Sequence, residues 1–181
     1  MKTSEIEPHP PTVERRVARA FGLEGDGWMR HANPVSVWTR FSVVSLITLA
    51  IWSREWLGWF CLVPLAAALV WMMVNPLFFG VPASTRNWAS KAVLGERIWT
   101  ERTSMDIPPQ FRSHVPNLAN AVSGLGVLLL AEGLVVEDGW MVGAGIVIVH
   151  LAKLWYLDRM VLLFDDVKQR DAEVASWEYG S

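Results

Sequence analysis

Charge and cysteine are both scarce in this chain. Asp, Glu, Lys and Arg make up only 19% of its 181 residues, less than a soluble domain of this length usually carries. The net charge of −2 gives no basic field for nucleic acid. One cysteine, Cys61, excludes an internal disulfide and a thiolate cluster, and its apolar neighbours make it a small buried hydrophobe. The histidines His9, His31, His114 and His150 show no HxxxH, HxxE or CxxC spacing, so no local metal site is expected. No Gly-rich phosphate loop and no G-x-S-x-G elbow occurs. The sequence names no cofactor. The first sixteen residues, "MKTSEIEPHPPTVERR", hold no apolar stretch that would serve as a cleavable signal, so the first apolar run is expected to direct insertion.

What the chain has instead is apolar bulk. Hydrophobic residues reach 52%, eleven residues are tryptophan, and the mean hydropathy is +0.26. The bulk falls into four runs: 35–52, 56–74, 115–136 and 140–157. Each approaches the ~20 residues a helix needs to cross ~30 Å of hydrocarbon. None alternates as a barrel strand would, so the expected fold is an all-α integral membrane protein with four transmembrane helices. Runs one and two are joined by Ser53–Glu55 and runs three and four by Glu137–Gly139, which predicts two tight hairpins.

Lysine and arginine are placed unevenly. The segment through Arg40 holds six, the stretch between the hairpins five, the last stretch four, and the two tight turns only Arg54. That bias predicts both termini and the central loop in the cytoplasm, with the protein in the inner (cytoplasmic) membrane. The expected division is a cytoplasmic segment over 1–33, a hairpin over 34–74, a cytoplasmic loop over 75–114, a second hairpin over 115–164 and a tail over 165–181. Trp52, Trp56, Trp59 and Trp140 are expected at the outer interface, and Trp38, Trp71 and Trp155 at the inner one. Amphipathic patterns predict two cytoplasmic helices: one over 12–24, lying on the leaflet or docked on the protein's own loops, and an interfacial or re-entrant one from Trp88 onward. In the latter, Trp88, Ala92 and Trp99 share one side.

Polar residues inside an apolar span are costly and therefore suspect. Glu132 stands near the outer end of run three, within reach of the interface. His150 lies roughly 15 Å into run four at helical rise. Lys153, Leu157, Val161 and Asp165 continue its stripe. Ser42, Ser45, Thr48, Asn117, Asn120 and Ser123 are candidate partners for His150. At the inner interface, His31, Asn33, Arg40, Asn87, Lys91, Glu96, Asp158, Arg159 and Asp165 are candidates to converge on a lipid head group or phosphate. Asn33 and Pro34 also read as the cap and first turn of helix one, and Asn87 or Thr85 as a cap near Trp88.

At "RHANPVSVWTR", "VNPLFF" and "NWASKAVLGERIW" the chain resembles an uncharacterised family of small prokaryotic integral membrane proteins. Its members carry an RHANP-S-WTR strip before the first span, an NP-LF step after the second, and then a Val-Leu-Gly-Glu strip with a following Trp. The resemblance covers roughly residues 25–165. It implies a membrane location and no particular reaction. Three functions stay open. One is a non-catalytic accessory or oligomeric protein, with small residues on runs three and four packing helices in a homo-oligomer or against a partner membrane subunit. The second is a membrane enzyme or lipid- and phosphate-binding protein with its polar site at the cytoplasmic interface. The third is an oligomeric channel or transporter. Membrane lipids are the expected partners in each.

Overall fold

The computed structural model describes residues 26–102, 105, 107–112 and 115–180. The expected surface helix over 12–24, His9 and His114 lie outside the described residues. Among the described residues the structure is all-helical, with no strand.

Helix α1 covers Asp26–His31. Asn33 then caps α2, Pro34–Phe41: its side chain accepts the Val35 amide at 3.0 Å, and Pro34 occupies the first turn, where a missing N–H costs nothing. Ser42 stays helical and passes the chain almost unbroken into α3, Val43–Trp52. The turn that follows is longer than expected. Arg54–Leu57 forms one further turn, α4, and Gly58–Cys61 a 3-10 turn, before α5 runs from Leu62 to Phe78. The second apolar helix therefore starts at Leu62, not Trp56. Gly58, at φ +51°, breaks the helix, and Trp56, Trp59 and Phe60 around it are exposed. Pro76 removes a backbone donor in the last turn of α5, which stops two residues later.

Asn87 caps α6, Trp88–Thr100, by accepting the Ser90 amide at 2.9 Å. A 3-10 turn at Pro109–Phe111 precedes α7, Val115–Val136. The junction to α8, Gly139–Val167, is as short as the sequence suggests. Glu137 takes φ 60°, the Asp138 amide reaches back to the Gly133 carbonyl at 2.9 Å, and the Asp138 carboxylate caps α8 through the Trp140 and Met141 amides. A last short helix, α9, covers Ala172–Ala175.

Three helical stretches are long and apolar enough to cross a membrane: Pro34–Phe78, Pro109–Val136 and Gly139–Val167. The first contains two of the four expected runs, as α3 and α5, and these lie against each other. Helices α7 and α8 pack most closely. A Cβ on Gly133 would stand 2.7 Å from the Val142 nitrogen, and one on Gly145 2.7 Å from the Leu130 nitrogen. These glycines let the two backbones touch. Gly124 and Gly143 face open space instead.

Helix α8 is about 43 Å long at helical rise, more than the ~30 Å thickness of a bilayer's hydrocarbon core. Its second half carries the main core. There α6 crosses it so closely that a Cβ on Gly95 would overlap the Met160 carbonyl. Leu94, Ile98, Met160, Leu163, Phe164 and Val174 are fully buried around this crossing. Trp28, Ala32 and Val37 close on the other side of α6 through Ala89 and Val93. An amphipathic surface helix is thus replaced by an inner one, buried on nearly every side. The tail folds back onto the same unit: the Thr85 amide donates to the Tyr179 carbonyl at 3.0 Å, and the Thr85 hydroxyl to the Trp177 carbonyl at 2.8 Å.

Candidate functional site

A cavity of about 470 Å³ lies where α2, α3 and α5 meet α6, α7 and α8. Val37, Phe41, Val44, Met72, Val149 and Leu157 form much of its apolar wall. Its polar lining is His31, Arg40, Glu96, Ser123, His150 and Lys153. The size falls within the ~300–1,000 Å³ of small-molecule sites, and the mix of an apolar body with a few convergent polar groups is what such sites share.

Each polar group reaches the cavity for a local reason. The Asn33–Pro34 cap turns the chain so that α1 ends beside the first turns of α2, and His31 meets Arg40. The Arg40 guanidinium lies against both ring nitrogens of His31, donates to the His31 carbonyl at 3.0 Å, and through Nε to the Ser36 carbonyl at 3.2 Å. Burial, reinforced by the charges of Arg40 and Lys153, holds the His31 pKa far below its ordinary 6.5, so the ring is neutral. Glu96 follows Gly95, and the close crossing there brings it to α8. Its carboxylate accepts the Lys153 ammonium at 2.8 Å. Lys153 also stands over the Tyr156 ring, 4.6 Å from its centroid. One turn earlier, His150 donates from Nδ1 to the Ile146 carbonyl at 2.8 Å. Its Nε2 lies 3.5 Å from the Ser45 hydroxyl, and Phe41 meets the ring edge-on. Helical spacing places His150, Lys153 and Leu157 in one stripe, and all three line the cavity.

The other candidates are placed elsewhere. Asn33 is occupied as a cap and in donating to the Gly80 carbonyl at 3.0 Å. Asn87 caps α6. Lys91 pairs with Asp165 at 3.0 Å and Glu178 at 3.2 Å, and Lys168 with the same two carboxylates at 2.7 and 2.8 Å. Lys91 and Asp165 thereby belong to a four-member network that fastens the tail. Asp158 is exposed, 3.5 Å from the Trp88 indole nitrogen, and does not approach His31. Arg159 lines a separate cavity of about 360 Å³ with Trp99, Phe111 and Asp166. Glu132 is exposed on α7. Among the described residues, no three His, Cys, Asp or Glu side chains gather as a metal-binding group.

Asn75 is a residue that charge and helical period do not single out. This side chain is fully buried, accepts the Ser36 hydroxyl at 2.6 Å and donates to the Thr39 hydroxyl at 2.8 Å, locking α5 to α2. An Asn-Pro pair at the end of an apolar run is the signal that could have found it. Arg54 was counted only as a charge. It donates to the Leu134 carbonyl and lies 3.5 Å from Glu137, so it binds the two turns together at the end of the bundle remote from Arg40.

Residues 12–179 match the family described as a family of unknown function (DUF6653), and the chain belongs to that family. No curated protein and no solved structure matches it.

Proposed function

We propose that this is a four-span protein of the inner membrane that holds an amphipathic ligand in the crevice between its two helical hairpins. In this reading α3 and α5 form one hairpin and α7 and α8 the other. Both termini and the α6 region lie on the cytoplasmic side. The bias of Lys and Arg away from the two turns supports that orientation. So do the tie between the turns through Arg54 and the exposure of Trp56, Trp59 and Trp140 at that end.

The observation that carries the binding role is Arg40. It is a half-buried cation at the head of a largely apolar cavity, and among the described residues no carboxylate lies within 4.0 Å of it. A permanent charge removed from water calls for an anionic partner. An oligomeric scaffold is less well supported, because Gly133 and Gly145 are used up inside the chain rather than at an outer face.

The test is photolabelling of the purified protein in lipid nanodiscs with a diazirine-bearing fatty acid, followed by peptide mapping. Labels on Val37–Val44 and Val149–Leu157 are expected. Labels only on outward residues such as Leu49, Leu69 and Leu128 would overturn the reading.

A further inference from the structure

The charges around the cavity specify more than an amphiphile. The fixed charges on its wall are Arg40, Lys153 and Glu96, two positive and one negative. His31 is neutral and adds none. We propose that Arg40 and Lys153 together receive a head group bearing one negative charge, a carboxylate or a phosphodiester, and that Glu96 sets that limit. This rests on the binding role proposed above and names the class of ligand.

Consider first what Arg40 has left to give. A guanidinium carries five N–H donors. Its three partners are the Ser36 carbonyl, the His31 carbonyl and the His31 ring, all neutral. Two donors remain, and the charge is answered only at a distance, by Glu96 across the same wall. Lys153 has three donors and holds one carboxylate, Glu96, at 2.8 Å. The wall is therefore one positive charge in excess, in surroundings where an uncompensated charge is expensive. A single anion closes the balance. A phosphomonoester brings two charges and sets the second beside Glu96, which like-charge repulsion penalises. A zwitterionic head group brings its own ammonium against two cations. An alcohol leaves the excess where it was.

The geometry also separates head from tail. Arg40, His31, Glu96 and Lys153 lie toward one end of the cavity, where α1 and α6 meet the bundle. The body of the cavity between α3, α7 and α8 is lined by Val44, Val127 and Val149. An acyl chain along that wall gains free energy for each methylene only if it leaves water. For a ligand arriving from lipid, that gain is absent. The head group then decides selectivity.

The experiment is competition against the same photoreactive fatty acid, in full-length protein, with five competitors of matched chain. These are oleate, phosphatidylglycerol, phosphatidylcholine, phosphatidic acid and oleyl alcohol. At least one of the two monoanions is expected to compete tenfold or more better than the alcohol, the zwitterion and the dianion. Which one does so separates a free carboxylate from a phosphodiester lipid. Arg40→Gln should bring the monoanion and the alcohol within about twofold of each other while cavity labelling persists, and Arg40→Lys should restore most of the preference. Lys153→Gln, on a more exposed side chain, should lower the preference by a smaller factor and covers the case in which Arg40→Gln fails to fold. Glu96→Gln should move the preference toward phosphatidic acid. Equal competition by alcohol and monoanions, or a preference unchanged in both Arg40→Gln and Lys153→Gln, would overturn the inference and leave the binding role standing. Loss of cavity labelling in the wild-type protein would instead defeat the binding role itself.

Discussion

The most apolar eighteen residues of Pro34–Phe78 have a mean hydropathy of 2.1, and 6% of them are buried inside the protein; for Gly139–Val167 the values are 1.5 and 33%. The less hydrophobic helix is the better packed. In water the order would be reversed, because burial there follows apolar area. In lipid the tails around a helix are as apolar as its neighbours, and association depends on close backbone approach and on polar bonds between helices. Helix α8 has the means for the first, in Gly145 against Leu130 and Val142 against Gly133. Helices α3 and α5 are rich in Leu, Val and Met that face outward. They are held by a few polar bonds, through Asn75 at one end and Arg54 at the other. The cavity lies where this loosely held half meets the packed one, a place where a ligand can replace lipid contacts without breaking a core.

The largest effect should come from placing a valine at a small-residue position in each half. Gly95→Val drives a side chain into the Met160 backbone, which cannot rotate away. A cost above about 3 kcal/mol is expected, seen as loss of monodisperse protein on size exclusion. Ala66→Val adds two methyl groups to an exposed position on α5 and should change stability by less than about 0.5 kcal/mol. Similar melting temperatures for the two variants would erase the distinction between the halves. Asn75→Leu comes next. It removes the lock and leaves the Ser36 hydroxyl buried without its acceptor. The expected loss is about 1–2 kcal/mol, in line with polar bonds between helices in lipid. Hydrogen exchange should rise in α2 and α5 and stay unchanged in α6 and the second half of α8. A rise spread evenly over all of them would mean that the two halves unfold as one.

The two halves also differ in how far they can be read from sequence. Caps are local, so Asn33 and Asn87 start their helices where the sequence places them. The stripe from His150 through Leu157 follows helical period, and Ser45 is among the partners foreseen for His150. What distance along the chain hides is the pairing of charges. Glu96 meets Lys153 across 57 residues, and Lys91 meets Asp165 across 74. No periodicity encodes either choice, so the nine interfacial candidates scatter: three line the cavity, two join the tail clasp, two are caps, Asp158 lies beside Trp88 and Arg159 lines a separate cavity. The burial of α6 is hidden for the same reason. Its own pattern shows one apolar side, and Gly95 reads as a helix weakness until Met160 is seen against it. The long turn at Ser53–Cys61 hides for a different reason, since Trp56 and Trp59 are apolar by hydropathy but sit at an end of the bundle where they are exposed.

The smallest expected effect concerns the clasp on the packed half. Lys91 and Lys168 face Asp165 and Glu178, and Arg97 stacks on Trp177 nearby at 3.9 Å. The bond from Lys168 holds the Glu178 carboxyl below its ordinary 4.5, against the opposing effect of burial and with help from Lys91. Its contribution to docking the tail is therefore complete above pH 4.5 and fades as the pH falls through the lower folded value. Burial works against charge on Lys168, but its bonds to Asp165 and Glu178 outweigh it and hold the pKa above 10.5. That contribution is complete below 10.5 and fades only at higher pH. The pairs are partly exposed, so each should matter by less than about 1 kcal/mol. A nitroxide on Ser176→Cys, in a Cys61→Ala background, should gain mobility as the pH drops below the carboxylate range and stay constant from there to neutrality. Glu178→Gln should show the mobile spectrum already at neutral pH. A label on Trp59→Cys, at the loosely packed end, should show no such transition. If it did, the acid response would belong to the whole bundle rather than to the clasp, because the tail and the turn at Gly58 share no titrating group.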